Sequence, residues 1–463
     1  MAGGVLRPET RAALRARGIR IGSAADGATE LHAGLVAELE ALDWELLDRQ
    51  RAALNAAPPA PPVGLGAPPL LPPATVSAPD RAGAAELGWR ALREGRVAVA
   101  TVAGGQASRL GFDGPKGAYP LGAVSGASLF QMLAGQVARL RERGARPLPW
   151  IVQTGPDNHA ATAAYLRERA HYGLGAASVR LVCQGTLPAL TVEGQLLLAE
   201  PGRLFRNPDG HGGFFRALVR SGAAARLRAE GIDTLFYSQI DNPLVRVADP
   251  VFLGRHLAAG AAMSVKVVEK TDPREKVGLV VVAGGKPQCI EYSDLDPALA
   301  SARADDGGLL LRAGNIAVHV LDLDFAEAMA TADLPLHAAR KLVRALPDAG
   351  GLDPVEREAV KFETFVFDAL PRAGVVVVQL AERAEEFAPV KNRTGADSID
   401  SCRAALDAQG RRWLEGLAPR FVPGPGAFEI QSGIALDAAD LATRVDALEL
   451  RAHGRLLTLR RSR

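Results

Sequence analysis

Two stretches of this chain carry the residue types needed to hold a polyphosphate. Val102-Ala103-Gly104-Gly105-Gln106-Ala107-Ser108-Arg109-Leu110-Gly111 follows directly on an apolar run, and Pro115-Lys116-Gly117 comes shortly after. Gly104 and Gly105 let backbone N–H groups approach phosphate oxygens closely, while Arg109 and Lys116 supply the opposite charge. A Gly-Gly pair after a strand also serves as a plain tight turn, and it is the added arginine and lysine that favour phosphate. Lys116 is not followed by Ser or Thr, and no Gly-x-Gly-x-x-Gly is present here, so neither a Walker A loop nor a dinucleotide fingerprint accounts for the pattern.

Further along, several segments combine side chains suited to a nucleotide or a sugar. In Val182-Cys183-Gln184-Gly185-Thr186-Leu187-Pro188-Ala189 the Gln184 amide can both donate to and accept from a base edge. Pro208-Asp209-Gly210-His211-Gly212-Gly213 reads as a loop of small residues. Phe236-Tyr237-Ser238-Gln239-Ile240-Asp241-Asn242-Pro243-Leu244 closes an apolar run with a carboxylate, where a cation bridging phosphates could be held, although an isolated Asp-Asn-Pro more simply starts a turn. Glu275-Lys276-Val277-Gly278, Ile290-Glu291-Tyr292-Ser293-Asp294 and Ala313-Gly314-Asn315-Ile316 offer carboxylate and amide groups to hydroxyls. Lys391, in Glu385-Glu386-Phe387-Ala388-Pro389-Val390-Lys391-Asn392, taken alone is a solvent-facing lysine.

Taken in order, from about Arg96 to Ser398, these motifs resemble the UDP-N-acetylglucosamine pyrophosphorylase and UDP-sugar pyrophosphorylase family. Its signature loop runs roughly Leu-x-Gly-Gly-x-Gly-Thr-Arg-Leu-Gly and then Pro-Lys-Gly; Ala107 and Ser108 stand here for the Gly and Thr. The segment Lys361-Phe362-Glu363-Thr364-Phe365-Val366-Phe367-Asp368 is also similar to one of the family's. The resemblance implies a magnesium-dependent transfer of a uridylyl group from UTP to a sugar 1-phosphate, by in-line attack on the α-phosphorus with pyrophosphate leaving. It implies Arg109 on the departing pyrophosphate, Lys116 near the α-phosphate, Lys391 on the sugar phosphate and Asp241 on Mg2+. Gln184 would meet the uracil and Gly212 the nucleoside, while Gly278, Glu291 and Asn315 would meet the hexose, with Asn315 close to the 2-substituent. N-acetylglucosamine 1-phosphate is the first acceptor to expect. Glucose 1-phosphate or a broad range of sugars is the alternative, and a sugar-nucleotide-binding regulator without chemistry is the alternative from another class.

The elements that must position these residues are legible in periodicity. From Arg96 short β-rich runs alternate with amphipathic segments: Val97–Val102, Leu129–Arg143, Leu148–Gln153, His159–Arg169 and Val179–Cys183. Further strands are expected at Leu235–Gln239, Met263–Val268, Val277–Val282, Ile316–Val320 and Val375–Leu380, with helices at Val251–Ala259 and Phe325–Thr331. Such alternation implies an α/β fold with a large, doubly wound, mostly parallel sheet, and ligands beyond the carboxyl ends of its strands. Leucines 35, 39, 42 and 46 suggest a pair of helices between about Arg11 and Ala57, and the stretch from Pro58 to Pro79 reads as an extended connector. Past Phe421 short segments suggest a small β-rich piece. The organisation expected is residues 1–80 as a helical appendage with its connector, 81–415 as the catalytic domain of Rossmann-like nucleotidyltransferase type, and 416–463 as a β-rich C-terminal domain.

Composition, 48% hydrophobic and 23% charged, is that of a folded globular protein and not of a disordered or fibrous chain. In 463 residues, Lys and Arg total 54 against 52 Asp and Glu, so no basic field exists to hold nucleic acid, and the basic end at Arg460, Arg461 and Arg463 is given no role. No run approaches the roughly 18 apolar residues of a membrane helix. Cys183, Cys289 and Cys402 lack paired spacing, which argues against zinc or a disulfide framework and for a reducing cytoplasm.

Overall fold

The computed structural model describes residues 3–20, 31–55, 64–71, 77–145, 147–347, 352–417 and 420–459. Half of the proline-rich connector and the basic C-terminal residues lie outside them. The chain falls into two compact units, one made of Met1–Ala60, Gln184–Gly213 and Asp333–Asp368, the other of Pro61–Cys183, Phe214–Ala332 and Ala369–Arg463.

The larger unit is built on a ten-stranded sheet. In chain order its strands are β1 (Leu70–Leu71), β2 (Val97–Val102), β3 (Trp150–Thr154), β4 (Val179–Cys183), β5 (Thr234–Gln239), β6 (Met263–Glu269), β7 (Leu279–Ala283), β8 (Lys286–Ile290), β9 (Ala313–Asp322) and β10 (Val376–Ala381). The spatial order is β1-β10-β6-β9-β5-β2-β3-β4, with the β7–β8 hairpin attached through β7 to β9. Every pairing along this path is parallel except those of β9, which runs antiparallel to both β5 and β6. β9 is reached from the hairpin and a short helix, not from a long crossover, which is why it enters the sheet in the opposite direction.

Val-Ala-Val-Ala-Thr of β2 is buried on both faces, as expected for a central strand covered by helices on each side. Covering helices include α1 (Ala78–Arg93), α2 (Leu129–Glu142), α3 (His159–Glu168), α4 (Pro250–Ala258) and α5 (Ile399–Glu415). Their starts follow sequence chemistry. The Ser128 hydroxyl accepts from the Gln131 N–H at the head of α2, Asp249 accepts from Val251 N–H ahead of Pro250 in α4, and Ser398 with Ser401 forms a capping box on α5. Their apolar faces close on one core containing Trp150, Phe130, Phe236, Phe252 and Leu133.

The C-terminal residues of this unit form a three-stranded sheet of Glu429–Ile430, Leu448–Arg451 and Leu456–Leu459 around Phe428, Leu441 and Leu457. A buried ion pair ties this piece to α2: the Arg139 guanidinium donates to both oxygens of Asp440, at 2.9 and 2.7 Å. Burial would raise the Asp440 carboxyl, but the Arg139 hydrogen bonds hold it below its ordinary value. Replacing Arg139 by leucine removes the main partner of that carboxylate and leaves Arg143 at 3.5 Å. The loss expected is about 2 kcal/mol or more of stability, read as a lower urea midpoint; an unchanged midpoint would show the pair to be dispensable.

Among the described residues of the smaller unit, three α-helices stand where a pair was expected: Pro8–Ala16, Ala33–Glu40 and Trp44–Asn55. The leucine run is cut because the Asp43 carboxylate accepts from the Leu46 N–H and starts a new helix, separating Leu35 and Leu39 from Leu46. These helices pack on Leu187, Leu190, Val360 and Phe362. A long antiparallel hairpin, His337–Ala345 with Val355–Glu363, completes this unit.

Candidate functional site

β2 and β5 lie side by side, and the chain turns off both at the same edge, where the Ile240 N–H bonds to the Val102 carbonyl at 3.0 Å. The loop after β2 folds back on itself: Ala107 N–H to Gly114 O at 3.0 Å and Lys116 N–H to Gly105 O at 3.1 Å. Ala107 takes φ −93° and ψ 19°, and its methyl is buried at 1% exposure. Alanine is therefore accommodated without backbone strain where the family loop has glycine. Gly105 and Arg109 are exposed, and Gly104 is half-buried.

The Lys116 ammonium donates to Asp241 Oδ2 at 2.9 Å, with both side chains mostly shielded, at 16% and 13% exposure. The Asp241 carbonyl accepts from Val390 N–H at 2.8 Å, which brings the Lys391 segment to the same place. Asn242, 2% exposed, does the joining: its Nδ2 donates to the Glu386 carbonyl at 2.7 Å and its Oδ1 accepts from Ala388 N–H at 3.1 Å. Lys391 Nζ itself stands 3.5 Å from Asp397, at 39% exposure. Three sequence-distant segments thus place two ammonium groups, of Lys116 and Lys391, and two carboxylates, of Asp241 and Asp397, at one end of the sheet. Among the described residues no group of three or more His, Cys, Asp or Glu could form a metal cage. The carboxylate of Asp241 is still the donor type that a hexacoordinate magnesium uses when substrate phosphates and water complete its shell.

Gly278, Glu291 and Asn315 come together on the β7–β8–β9 side. Asn315 N–H bonds to the Gly278 carbonyl at 2.8 Å. A Cβ on Gly278 would stand 3.2 Å from Cys289 Sγ and 3.3 Å from Glu291 Oε1, so a side chain here would crowd both groups. Cys289 and Glu291, two apart, share one face, and the Asn315 amide donates to Cys289 Sγ at 3.4 Å.

Gln184 and Gly212 belong to the smaller unit. Gln184 is buried at 6% exposure, and its neighbour Gly185 accepts from Asp209 N–H at 3.1 Å. Gly212 N–H bonds to Thr364 O at 2.8 Å, and a Cβ there would meet Phe365 N at 2.7 Å, so the Pro-Asp-Gly-His-Gly-Gly turn is locked to the Lys361–Asp368 segment.

Sequence reasoning did not single out Asn158, Asn242, Cys289 or the buried lysine Lys266. Asn158 precedes α3 and reads as a helix cap, yet its side chain caps nothing. Its Nδ2 instead donates to the Ala103 carbonyl at 2.8 Å and the Gly105 carbonyl at 3.2 Å, clamping the phosphate loop from the end of β3. Lys266, fully buried in β6, donates to Asp249 at 2.7 Å and to Glu386. Burial raises both carboxyls; Lys266 and Arg246 bring Asp249 below its ordinary value, while Glu386 stays raised.

A mostly parallel sheet that gathers a glycine-rich, lysine-bearing turn and a strand-end carboxylate at one edge defines an α/β nucleotidyltransferase. The chain belongs to the UTP--glucose-1-phosphate uridylyltransferase family, whose model matches residues 85–403. It is 36% identical to UDP-N-acetylhexosamine pyrophosphorylase-like protein 1 of Homo sapiens over 428 residues, covering 87% of this chain and 84% of that one. It is likewise 36% identical to the UDP-N-acetylglucosamine pyrophosphorylase of Saccharomyces cerevisiae over 345 residues, 71% of this chain and 72% of that one. Among solved structures, the uridine diphosphate N-acetylglucosamine pyrophosphorylase of Trypanosoma brucei in complex with an inhibitor superposes with a TM-score of 0.76 at 25% identity, covering 93% of each chain.

Proposed function

We propose that this protein transfers the uridylyl group of UTP to N-acetylglucosamine 1-phosphate, releasing pyrophosphate. The observation that carries the reading is the convergence of Lys116, Asp241 and the Lys391 segment at one sheet edge. A phosphate oxygen of the acceptor forms a bond to the α-phosphorus, the bond from that phosphorus to the bridging oxygen breaks, and the electron pair leaves on pyrophosphate. Two polyanions must be held together while charge shifts between them, so positioned cations are what the reaction needs. In this reading Lys391 holds the sugar phosphate, Lys116 the α-phosphate and Arg109 the departing pyrophosphate, while Gln184 and Gly212 serve the uridine.

Asp241 is the residue that would hold Mg2+, which when bound neutralises charge on the triphosphate. The Lys116 ammonium, which donates to Asp241, is the cation this chain offers to the α-phosphate. Gly278, Glu291 and Asn315 face the hexose. Three cysteines without disulfides suit the cytoplasm.

The test is pyrophosphate release from UTP with a panel of sugar 1-phosphates that includes N-acetylglucosamine 1-phosphate and glucose 1-phosphate. Release that requires an acceptor, stops with EDTA and returns with Mg2+ is expected; no release with any acceptor would sink the proposal. Within the same assay, Asn158→Ala should lower kcat/KM for UTP about tenfold, since the loop loses two hydrogen bonds that fix its carbonyls. An unaltered value would mean that the loop holds its shape without the clamp.

A further inference from the structure

The Asn315 side chain is held at both ends. Its Oδ1 accepts from Ala317 N–H at 2.9 Å and its Nδ2 donates to Cys289 Sγ at 3.4 Å, a length suited to sulfur. The first of these bonds sits in a bulge. Pairing between β6 and β9 jumps from Lys266↔Val318 to Val267↔Asn315, and Ala317, inside the jump, has φ +54°. A left-handed alanine costs energy and persists where its surroundings hold it, here through the Asn315 oxygen. Turning the amide over would set its nitrogen against the Ala317 N–H, donor against donor, and lose that bond. One Nδ2 hydrogen therefore belongs to Cys289, and the second is the group left to meet a ligand.

We propose that Cys289 is a positioning residue for sugar selection: by accepting from Asn315 it aims the remaining amide hydrogen at the 2-substituent. The inference rests on the uridylyltransferase reading above and names what within that site separates a 2-acetamido sugar from a 2-hydroxy one. The carbonyl of an acetamido group is a fixed acceptor for an aimed donor. A hydroxyl at the same carbon is shorter and leaves the donor without its partner, and a site that hydrogen-bonds one substituent rejects an analogue lacking it. Cys289 shares its strand face with Glu291 and closes over Gly278, so the sulfur lies among the groups expected to meet the hexose.

The experiment compares full-length wild type with Cys289→Val, Cys289→Ala and Cys289→Ser. The measurements are kcat/KM for N-acetylglucosamine 1-phosphate and for glucose 1-phosphate, and KM for UTP. Valine and alanine remove the acceptor at two different volumes, whereas serine keeps one. The ratio of the two sugar specificities should fall about tenfold in both Val and Ala variants, and serine should restore it to within about threefold of wild type. KM for UTP should stay within about twofold throughout, which a general loosening of the fold would not allow. An unchanged ratio in the Val and Ala variants overturns the inference, as does an equal fall in all three, which would make the role one of packing. A wild type that turns over neither sugar overturns the uridylyltransferase reading and this inference with it.

Discussion

Lys391→Ala should lower kcat by about 100- to 1,000-fold, the usual cost of removing one preorganised charge from a site where charge develops. Its stability should stay close to that of the wild type. The two expectations follow from the same geometry. Among the described residues the Lys391 ammonium has a single ion-pair contact, 3.5 Å to Asp397, with side chains about two-fifths exposed, and such a pair contributes less than about 1 kcal/mol. Its backbone, by contrast, is fixed: Lys391 N–H bonds to Asp397 O at 2.7 Å, and the preceding Val390 N–H bonds to Asp241 O at 2.8 Å. Truncation removes the charge and leaves the scaffold. Turnover at saturating UTP and sugar 1-phosphate, with a melting temperature within about 2 °C of wild type, checks both halves. Activity within threefold of wild type would take Lys391 out of the mechanism.

The same contrast explains what the sequence made legible. Arg109 and Lys116 stand out as cations in a glycine-bearing stretch after an apolar run, and strand ends are where α/β sheets bind ligands, whereas Asp241 and Lys391 stand out only through the resemblance of the motifs around them. The groups that support them gave weaker signals. Asn158 and Asn242 are residue types that begin helices and turns, and only the tertiary fold reveals that their amides instead bridge loop carbonyls and N–H groups. Cys289 is one position in an alternating strand until β9 bulges to put Asn315 beside it. The antiparallel direction of β9 is likewise set by the hairpin that precedes it and not by its own residues. Lys266 is the sharpest case: in Met263-Ser264-Val265-Lys266-Val267-Val268 an alternating pattern would turn Ser264 and Lys266 to solvent, yet β6 is central and buried on both faces.

Lys266→Met is accordingly expected to cost about 3–5 kcal/mol, because it leaves two buried carboxylates without their shared ammonium. Arg246, paired with Asp437 at 2.5 Å, remains near them but does not replace the lost bonds. The pH dependence has a definite sign. Without Lys266 the Glu386 carboxyl, already raised by burial, rises further and Asp249 loses the largest interaction that lowers it, so the folded variant binds more protons than the folded wild type. Relative to wild type, stability is then greatest at low pH, with both carboxyls protonated, and is lost as pH rises through their folded-state values. The deficit against wild type should be largest at pH 7 and shrink toward pH 5. The triple variant Lys266→Met, Asp249→Asn, Glu386→Gln, which removes the uncompensated charges and replaces the Asp249 cap of α4 with another capping side chain, should recover much of the loss. Urea denaturation at the two pH values measures this, and a single variant within about 1 kcal/mol of wild type would refute it. The consequence reaches the chemistry as well. The Glu386 carbonyl accepts from Asn242 and Glu386 ends the short helix that leads into the Lys391 segment, so this buried lysine holds the register between Asp241 and that segment. Turnover in the single variant should therefore fall even at temperatures where it is fully folded, and return in part with the triple replacement.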